Sequence, residues 1–237
     1  MSSRIVRAAT SLSILICASG AFAQSAFVSP AEALLRRVVA TYRSAKTYSD
    51  VGSTSYGSSW TNDDRLTASF EIRFARPASL RFELVDHLPY GDHRRRHTVW
   101  WSDEQANQIW SSLSNRFESL AADDLYRSRW DSGAPAYHIP TLLNPRFANR
   151  YFLDIAKLPS PAIVAEETFQ DFKCYHLTAS NGAATPDLSY DLWIGKDDLL
   201  VHRFAFRRGA FSYEEIHRNI QLDTDLPPDT FRISPPG

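Results

Sequence analysis

The segment 65–86 alternates apolar and polar side chains over most of its length, and this pattern restricts the fold more than any other feature. In its first half every second residue is apolar: Leu66, Ala68, Phe70, Ile72 and Phe74. The alternation resumes after Arg76-Pro77 with Leu80, Phe82 and Leu84. A period of two residues is typical of a strand with one buried face. The segment therefore predicts two consecutive long strands that share a dry face.

The remaining pattern predicts a mainly β chain with one well-defined helix. Ser29-Pro30-Ala31-Glu32 forms a capping box with proline at the first helical position, followed by apolar residues at helical spacing to about residue 46. Further strands are predicted near 48–57, 97–101, 107–113, 163–169, 172–179, 188–194, 199–208 and 211–222. Short polar turns between neighbouring strands, such as Arg208-Gly209-Ala210, favour antiparallel pairing.

The region 117–161 separates the two groups of strands and has a different character. Leu120, Ala121 and Leu125 predict a helix over about 117–130, and a proline-marked loop follows it. We expect this insertion to cover part of the sheet. No internal repeat and no linker rich in Gly, Ser or Pro divides the chain, so residues 24–237 are predicted to form one domain.

The first residues have the features of a secretory signal peptide. Arg4 and Arg7 precede a short apolar run, and Ala21-Phe22-Ala23 is a small-x-small cleavage site. The run is shorter than the roughly 20 residues that a membrane-spanning helix needs. The sequence thus predicts that residues 1–23 are removed after Ala23 and that the protein is exported to the periplasm.

Charge argues against nucleic acid as a partner. The chain has 26 Lys and Arg and 27 Asp and Glu residues, and loss of Arg4 and Arg7 lowers the formal charge from −1 to about −3. Proteins that bind nucleic acid usually carry a basic excess. The basic stretch YGDHRRRH, residues 90–97, is predicted to be an exposed loop, either solvated or in contact with an anionic surface.

Groups that carry out catalysis or bind metals are not arranged for either role in the sequence. There is no G-x-S-x-G motif, and acid pairs such as Glu214-Glu215 are neighbours, which point to opposite sides of a strand. Three arginines separate His93 from His97, which opposes a cation site. Cys174 is predicted to be a buried, inert thiol. We therefore expect no enzyme, no metal site and no cofactor.

Aromatic residues make up 13% of the chain, and many occupy alternating strand positions. They have two interpretations. In one, they fill an ordinary core between sheet and helix. In the other, a curved sheet encloses a cavity for an apolar ligand. The alternation alone does not separate them.

Several segments together resemble the LolA/LolB-like periplasmic lipoprotein carriers, in particular the branch of outer-membrane lipoprotein-sorting proteins. The resemblance covers most of the mature chain and follows the order of motifs in that family. It rests on these stretches: ATYRSAKTYSD after the first helix, FARPASLRFE, VWWSDEQ, FESLAADD with HIPTLL, YDLWIGKDDLLVHRF and DTDLPPDTFRISPP.

The resemblance implies a mainly β (α+β) fold, a single unclosed antiparallel β-barrel of about eleven strands with helices across its open side. It implies a periplasmic carrier or binding protein for lipid or for the acyl chains of lipoproteins, held in a hydrophobic cavity. The protein is expected to act as a monomer that contacts membrane-associated proteins transiently. The alternative is a regulatory, envelope-stress interaction module that uses the same fold without cargo transfer.

The resemblance also assigns roles to residues. Arg76, in the Arg-Pro pair, is expected to latch the helical lid through hydrogen bonds. Adjacent Trp100 and Trp101 must point to opposite faces, and Trp100 is assigned to the cavity. The residues predicted to bind the ligand are Leu66, Phe70, Ile72, Phe74, Leu80, Phe82, Leu84 and Trp100 of the strands and Leu35 and Val38 of the first helix.

Overall fold

The structure is a computed structural model that describes residues 28–58, 66–87, 95–120, 138–147, 155–180, 182 and 187–234. The predicted signal peptide, residues 1–23, lies outside the described residues. Within the described part of the chain, no helix combines the length and the apolar character that crossing a membrane would require.

Helix α1, Pro30–Ser44, begins at the predicted capping box. The Glu32 carboxylate accepts a hydrogen bond from the Ser29 backbone N–H at 2.8 Å, and the Ser29 hydroxyl accepts one from the Glu32 backbone N–H at 3.2 Å. These two bonds satisfy backbone donors that the first helical turn leaves free. One face of α1 is buried, and it carries Ala31, Leu34, Leu35, Val38 and Tyr42.

Eleven strands of the described residues form one antiparallel sheet. Along the chain they are β1 Thr47–Ser58, β2 Leu66–Ala75, β3 Ser79–His87, β4 Arg95–Ser102, β5 Asn107–Ser111, β6 Arg116–Leu120, β7 Ala162–Phe169, β8 Phe172–Ser180, β9 Leu188–Gly195, β10 Val201–Arg208 and β11 Phe211–Leu222. Their order in the sheet is β6-β5-β4-β3-β2-β1-β11-β10-β9-β8-β7.

The topology is two meanders joined by the pairing of β1 with β11. Strand β1 is therefore the central strand, and β6 and β7 are the two edges, which do not pair with each other. The sheet is not closed. Helix α2, His138–Leu143, and two short 3-10 helices, Pro145–Phe147 and Ile155–Lys157, come from the segment between the meanders. The predicted fold class, an unclosed antiparallel half-barrel with helices, is confirmed.

The predicted helix over 117–130 is wrong at its start. Residues 117–120 belong to β6, which pairs with β5 in the register Trp110 to Phe117, and the rest of the prediction falls largely outside the described residues. Strand β6 is an edge strand whose side chains are exposed on both faces except for Leu120, which is partly buried. It therefore lacks the alternation of buried and exposed residues that marks strands such as β2.

One face of the sheet packs against α1 and α2. We call it the inner face, and the opposite face the outer face. On β2 it carries Ala68, Phe70, Ile72 and Phe74, all buried, as the alternation predicts. At Gly52 of β1 the Phe70 ring lies so close that a Cβ atom would come within 2.2 Å of it. Glycine at this position lets Phe70 cross the central strand and reach the ring of His217 on β11, 5.1 Å between centroids.

Candidate ligand-binding site

The residues predicted to bind a ligand are brought together on the inner face and on α1. Nine of the ten belong to one apolar cluster and are at most 4% exposed, while Leu66, at the start of β2, is only partly buried. The ring of Phe82 lies between those of Phe70 and Trp100, with distances between ring centroids of 6.3 Å and 5.1 Å. Trp101 points to the opposite face and packs with Val99 and Trp110. Nine of the predicted residues therefore belong to one continuous apolar surface, which we call the wall.

Helix α2 packs against this wall. All six of its residues are buried, and Ile139, Leu142 and Leu143 belong to the same apolar cluster as the wall. Phe147, just beyond α2, packs edge-on against Phe74 at 6.3 Å. A cavity that admitted an acyl chain would leave the side chains of its wall accessible. The low exposure of the wall shows that it is covered in this structure, and α2 is one of the elements that pack against it.

Arg76 lies in the turn between β2 and β3 and binds the C-terminal ends of both helices. Its Nε donates to the carbonyl of Ala45, the residue immediately after α1, at 3.0 Å. Its Nη2 donates to the carbonyl of Arg43, in the last turn of α1, at 2.5 Å. The same Nη2 donates to the carbonyl of Leu143, the last residue of α2, at 2.9 Å. A cation is favourable at these carbonyl ends because they carry the negative end of the helix dipole. The guanidinium thus joins two helices to one turn of the sheet.

A buried network of charged side chains lies at the centre of the inner face. His217 places Nδ1 at 2.6 Å from Asp50 Oδ2 and Nε2 at 3.3 Å from Glu215 Oε2. The other oxygen of Glu215 accepts a hydrogen bond from Nδ1 of His138, the first residue of α2, at 2.6 Å. These four residues are 0–4% exposed. They connect β1, β11 and α2 through one chain of hydrogen bonds, which we call the central network.

Two tyrosines complete the central network. The Tyr48 hydroxyl donates to Asp50 Oδ2 at 2.9 Å, and the Tyr213 hydroxyl donates to Glu215 Oε1. Burial raises the pKa of Tyr48 well above its usual range, and the charge of Asp50 adds to this effect. Tyr48 and Tyr213 therefore act as fixed donors to the two carboxylates.

The central network sets the charge of its members. Burial alone would raise the pKa of Glu215, but the charge of His138 and the hydrogen bonds from His138 and His217 outweigh it and lower the pKa to about 2. Burial disfavours the charged form of His217, yet the hydrogen bonds and charges of Asp50 and Glu215 raise its pKa to about 9. At neutral pH a carboxylate and an imidazolium so far from their pKa values are poorly suited to exchange protons as a general acid or base. The arrangement holds charge in place.

The central network does not follow from the sequence pattern alone. Glu215 stands beside Glu214, which points to the other face and forms an ion pair with Arg203 at 2.6 Å. One signal was present: Tyr213, Glu215 and His217 alternate on β11 as the apolar residues do on β2. Polar residues on such a stripe indicate a buried polar cluster only when a partner strand supplies matching groups.

Other candidate residues have structural roles. Cys174 is buried, and burial raises the pKa of its thiol to about 11, as expected of an inert cysteine. Arg96 was predicted to lie in an exposed basic loop, but it is buried and forms a bidentate ion pair with Asp86, its register partner on β3. His97 pairs with Glu83 at 3.0 Å. Among the described residues, no group of three or more His, Cys, Asp or Glu is placed to hold a metal ion.

Comparison with known proteins gives likeness in structure and none in sequence. No protein-family model matches the chain, and no curated protein matches its sequence. The lipoprotein LprF of Mycobacterium bovis superposes with a TM-score of 0.51 at 10% identity, over 84% of this chain and 96% of that one. A likeness at this identity concerns the fold alone.

Two other structures match less well. The lipoprotein LppX of Mycobacterium tuberculosis gives a TM-score of 0.49 at 12% identity, over 83% of this chain and 96% of that chain. A LolA superfamily protein of Nitrosomonas europaea gives 0.35 at 8% identity, over 85% and 96%. The open eleven-stranded sheet and the match to LprF agree with the architecture that the sequence motifs imply. By structure rather than by sequence, the chain therefore shares the open half-barrel fold of LprF.

Proposed function

We propose that this protein is a periplasmic carrier or binding protein for lipid or for the acyl chains of lipoproteins. The observation that carries this proposal is the apolar wall of the inner face covered by α2, a helix of only six residues. Arg76 holds its C-terminal end and Glu215 its N-terminal end. An acyl chain binds by displacing α2 and taking over its contacts with the wall. Each buried methylene contributes about 0.8 kcal/mol, which offsets the cost of moving α2.

The remaining parts of the proposal follow from the sequence. Residues 1–23 direct export and are removed after Ala23, and residues 24–237 form one domain that works as a monomer. The protein delivers its cargo through transient contact with membrane-associated proteins. Apolar binding is non-directional, so this function needs neither a catalytic group nor a cofactor.

Opposite effects of two core substitutions test whether α2 competes with the ligand. Leu142→Ala removes contacts of α2 and is expected to tighten the binding of Nile red, a neutral apolar dye, by about tenfold. A loss of about 1.4 kcal/mol in the docking of α2 is enough for this change. Phe82→Ala removes part of the wall and is expected to weaken binding. The measurement is a fluorescence titration of the mature protein.

The two variants control for each other, because each removes a large buried side chain and both should lower stability by about 2–5 kcal/mol. General loosening of the core would change the two affinities in the same direction. Such a result would contradict displacement of α2. If the parent protein and Leu142→Ala both fail to bind the dye, the carrier proposal is wrong and the interaction-module alternative is favoured.

Arg76→Leu is expected to accelerate the exchange of bound Nile red by about tenfold or more. The variant loses hydrogen bonds from a charged donor to α1 and α2, and such bonds contribute roughly 1.5–3 kcal/mol each. The measurement is the stopped-flow rate of dye transfer to lipid vesicles. Arg73→Leu is the matched control, because Arg73 lies on the outer face of β2 and pairs with Glu71. Equal rates for the parent and Arg76→Leu would show that Arg76 does not hold the lid.

A further inference from the structure

The chemistry of α2 indicates what the inner face accepts at its centre. Most of the helix offers apolar side chains to the wall, but His138 offers one hydrogen-bond donor. Its Nδ1 donates to Glu215 at 2.6 Å, and its ring lies against Phe204 with 4.0 Å between centroids. A ligand that displaces α2 removes this donor. It then meets a buried carboxylate that has lost one of its partners.

The charges around Glu215 determine which group can replace His138. When α2 leaves, the central network retains the carboxylates of Asp50 and Glu215 and the imidazolium of His217, so one negative charge is uncompensated. The hydroxyls of Tyr48 and Tyr213 already donate to these carboxylates. The centre of the inner face is then anionic and short of donors.

Buried polar atoms without hydrogen-bond partners also favour a ligand that donates hydrogen bonds. Asp50 is only 2% exposed, and its Oδ1 atom is buried and accepts no hydrogen bond within the described part of the chain. Thr54, the register partner of Glu215 on β1, has a buried hydroxyl that likewise lacks a described partner. Buried polar atoms without partners are uncommon in folded proteins. An acceptor and a hydroxyl are thus available beside the carboxylates for a group that can donate.

We propose that the ligand of the inner face is an amphiphile with an uncharged or cationic hydrogen-bond donor, a hydroxyl or an amine, that replaces His138 at Glu215. This inference rests on the proposed carrier function and narrows its ligand class. A carboxylate or phosphate at the same place would meet a net negative charge in a medium of low dielectric, where like charges repel strongly.

Competition among three amphiphiles of equal chain length tests the inference. Dodecanol below its solubility limit, and dodecylamine and dodecanoate below their critical micelle concentrations, are titrated against mature protein that holds Nile red. We expect dodecanol and dodecylamine to displace the dye at concentrations at least about tenfold lower than dodecanoate. Dodecanol donates a hydrogen bond but carries no charge, so its affinity separates the effect of hydrogen bonding from that of attraction between charges.

Glu215→Gln is expected to reduce this preference to about twofold or less, because it removes the negative charge and keeps the size of the side chain. Glu214→Gln is the matched control, since Glu214 directly precedes Glu215 on β11 and pairs with Arg203 on the other face. It should retain the preference of the parent. If circular dichroism shows that Glu215→Gln is unfolded, Asp50→Asn replaces it, with the same expectation for the charge of the network.

The outcomes separate the two proposals. If dodecanoate displaces the dye as well as dodecanol does, the ligand class is wrong and the carrier function stands. Preference for dodecylamine alone shows that charge rather than donation decides, and it also overturns the inference. An unchanged preference in Glu215→Gln excludes Glu215 as the recognising group. Failure of Nile red to bind both the parent and Leu142→Ala overturns the carrier function and the inference together.

Discussion

Asp50→Ala is expected to lower the free energy of unfolding by about 3–5 kcal/mol. Asp50 and His217 are both fully enclosed and joined at 2.6 Å. Removal of the carboxylate leaves the imidazolium of His217 buried with only Glu215 beside it, and it leaves the Tyr48 hydroxyl without its acceptor. Such uncompensated buried groups have no water to replace the lost partner.

The measurement is urea denaturation at pH 6, followed by circular dichroism. Asp191→Ala is the matched control, because Asp191 pairs with His176 at 2.9 Å near the outer surface of β9, where both side chains remain partly accessible. We expect it to change the free energy of unfolding by about 1 kcal/mol or less. A loss for Asp50→Ala as small as for Asp191→Ala would show that Asp50 and His217 do not form a charged pair.

The strands could be predicted because their signal is local. On β2 and β3 the apolar residues recur at every second position, and the structure places the strands at Leu66–Ala75 and Ser79–His87, within one residue of the predicted segment 65–86. The capping box fixed the start of α1 in the same way. Each of these elements is determined by neighbouring residues, so no knowledge of the sheet order was needed.

The central network could not be predicted in this way, because its members come from distant parts of the chain. Asp50 and His217 are 167 residues apart and meet only because β1 pairs with β11. The turn residues predicted pairing between consecutive strands and carried no signal for this contact. Arg96 was assigned to an exposed loop for the same reason, since its partner Asp86 becomes visible only with the register of β3 and β4.

The free energy of unfolding is expected to be highest near pH 4.5–6.5 and to fall on both sides. His217 has its pKa raised from 6.5 to about 9, so its contribution is complete below pH 6.5 and is lost as the pH rises through 9. Glu215 has its pKa lowered from 4.5 to about 2, so its contribution is complete above pH 4.5 and is lost as the pH falls through 2. A shift of this size corresponds to about 3 kcal/mol for either group.

The alkaline side is the sharper test of the central network. On the acid side Glu83, whose pKa is also lowered to about 2, contributes to the same loss. On the alkaline side burial raises the pKa of Cys174 to about 11 and the pKa of Tyr48 well above its usual range, so His217 dominates between pH 6.5 and 9. Urea denaturation of the parent at constant ionic strength should show a decrease of about 3 kcal/mol in the free energy of unfolding across this interval.

His217→Gln, which is less stable at pH 6, should show almost no decrease there, because it has no imidazolium to lose its proton. A parent protein whose stability stays constant from pH 6.5 to 9 would mean that His217 is neutral and that the two carboxylates of the inner face are not held by an ion pair.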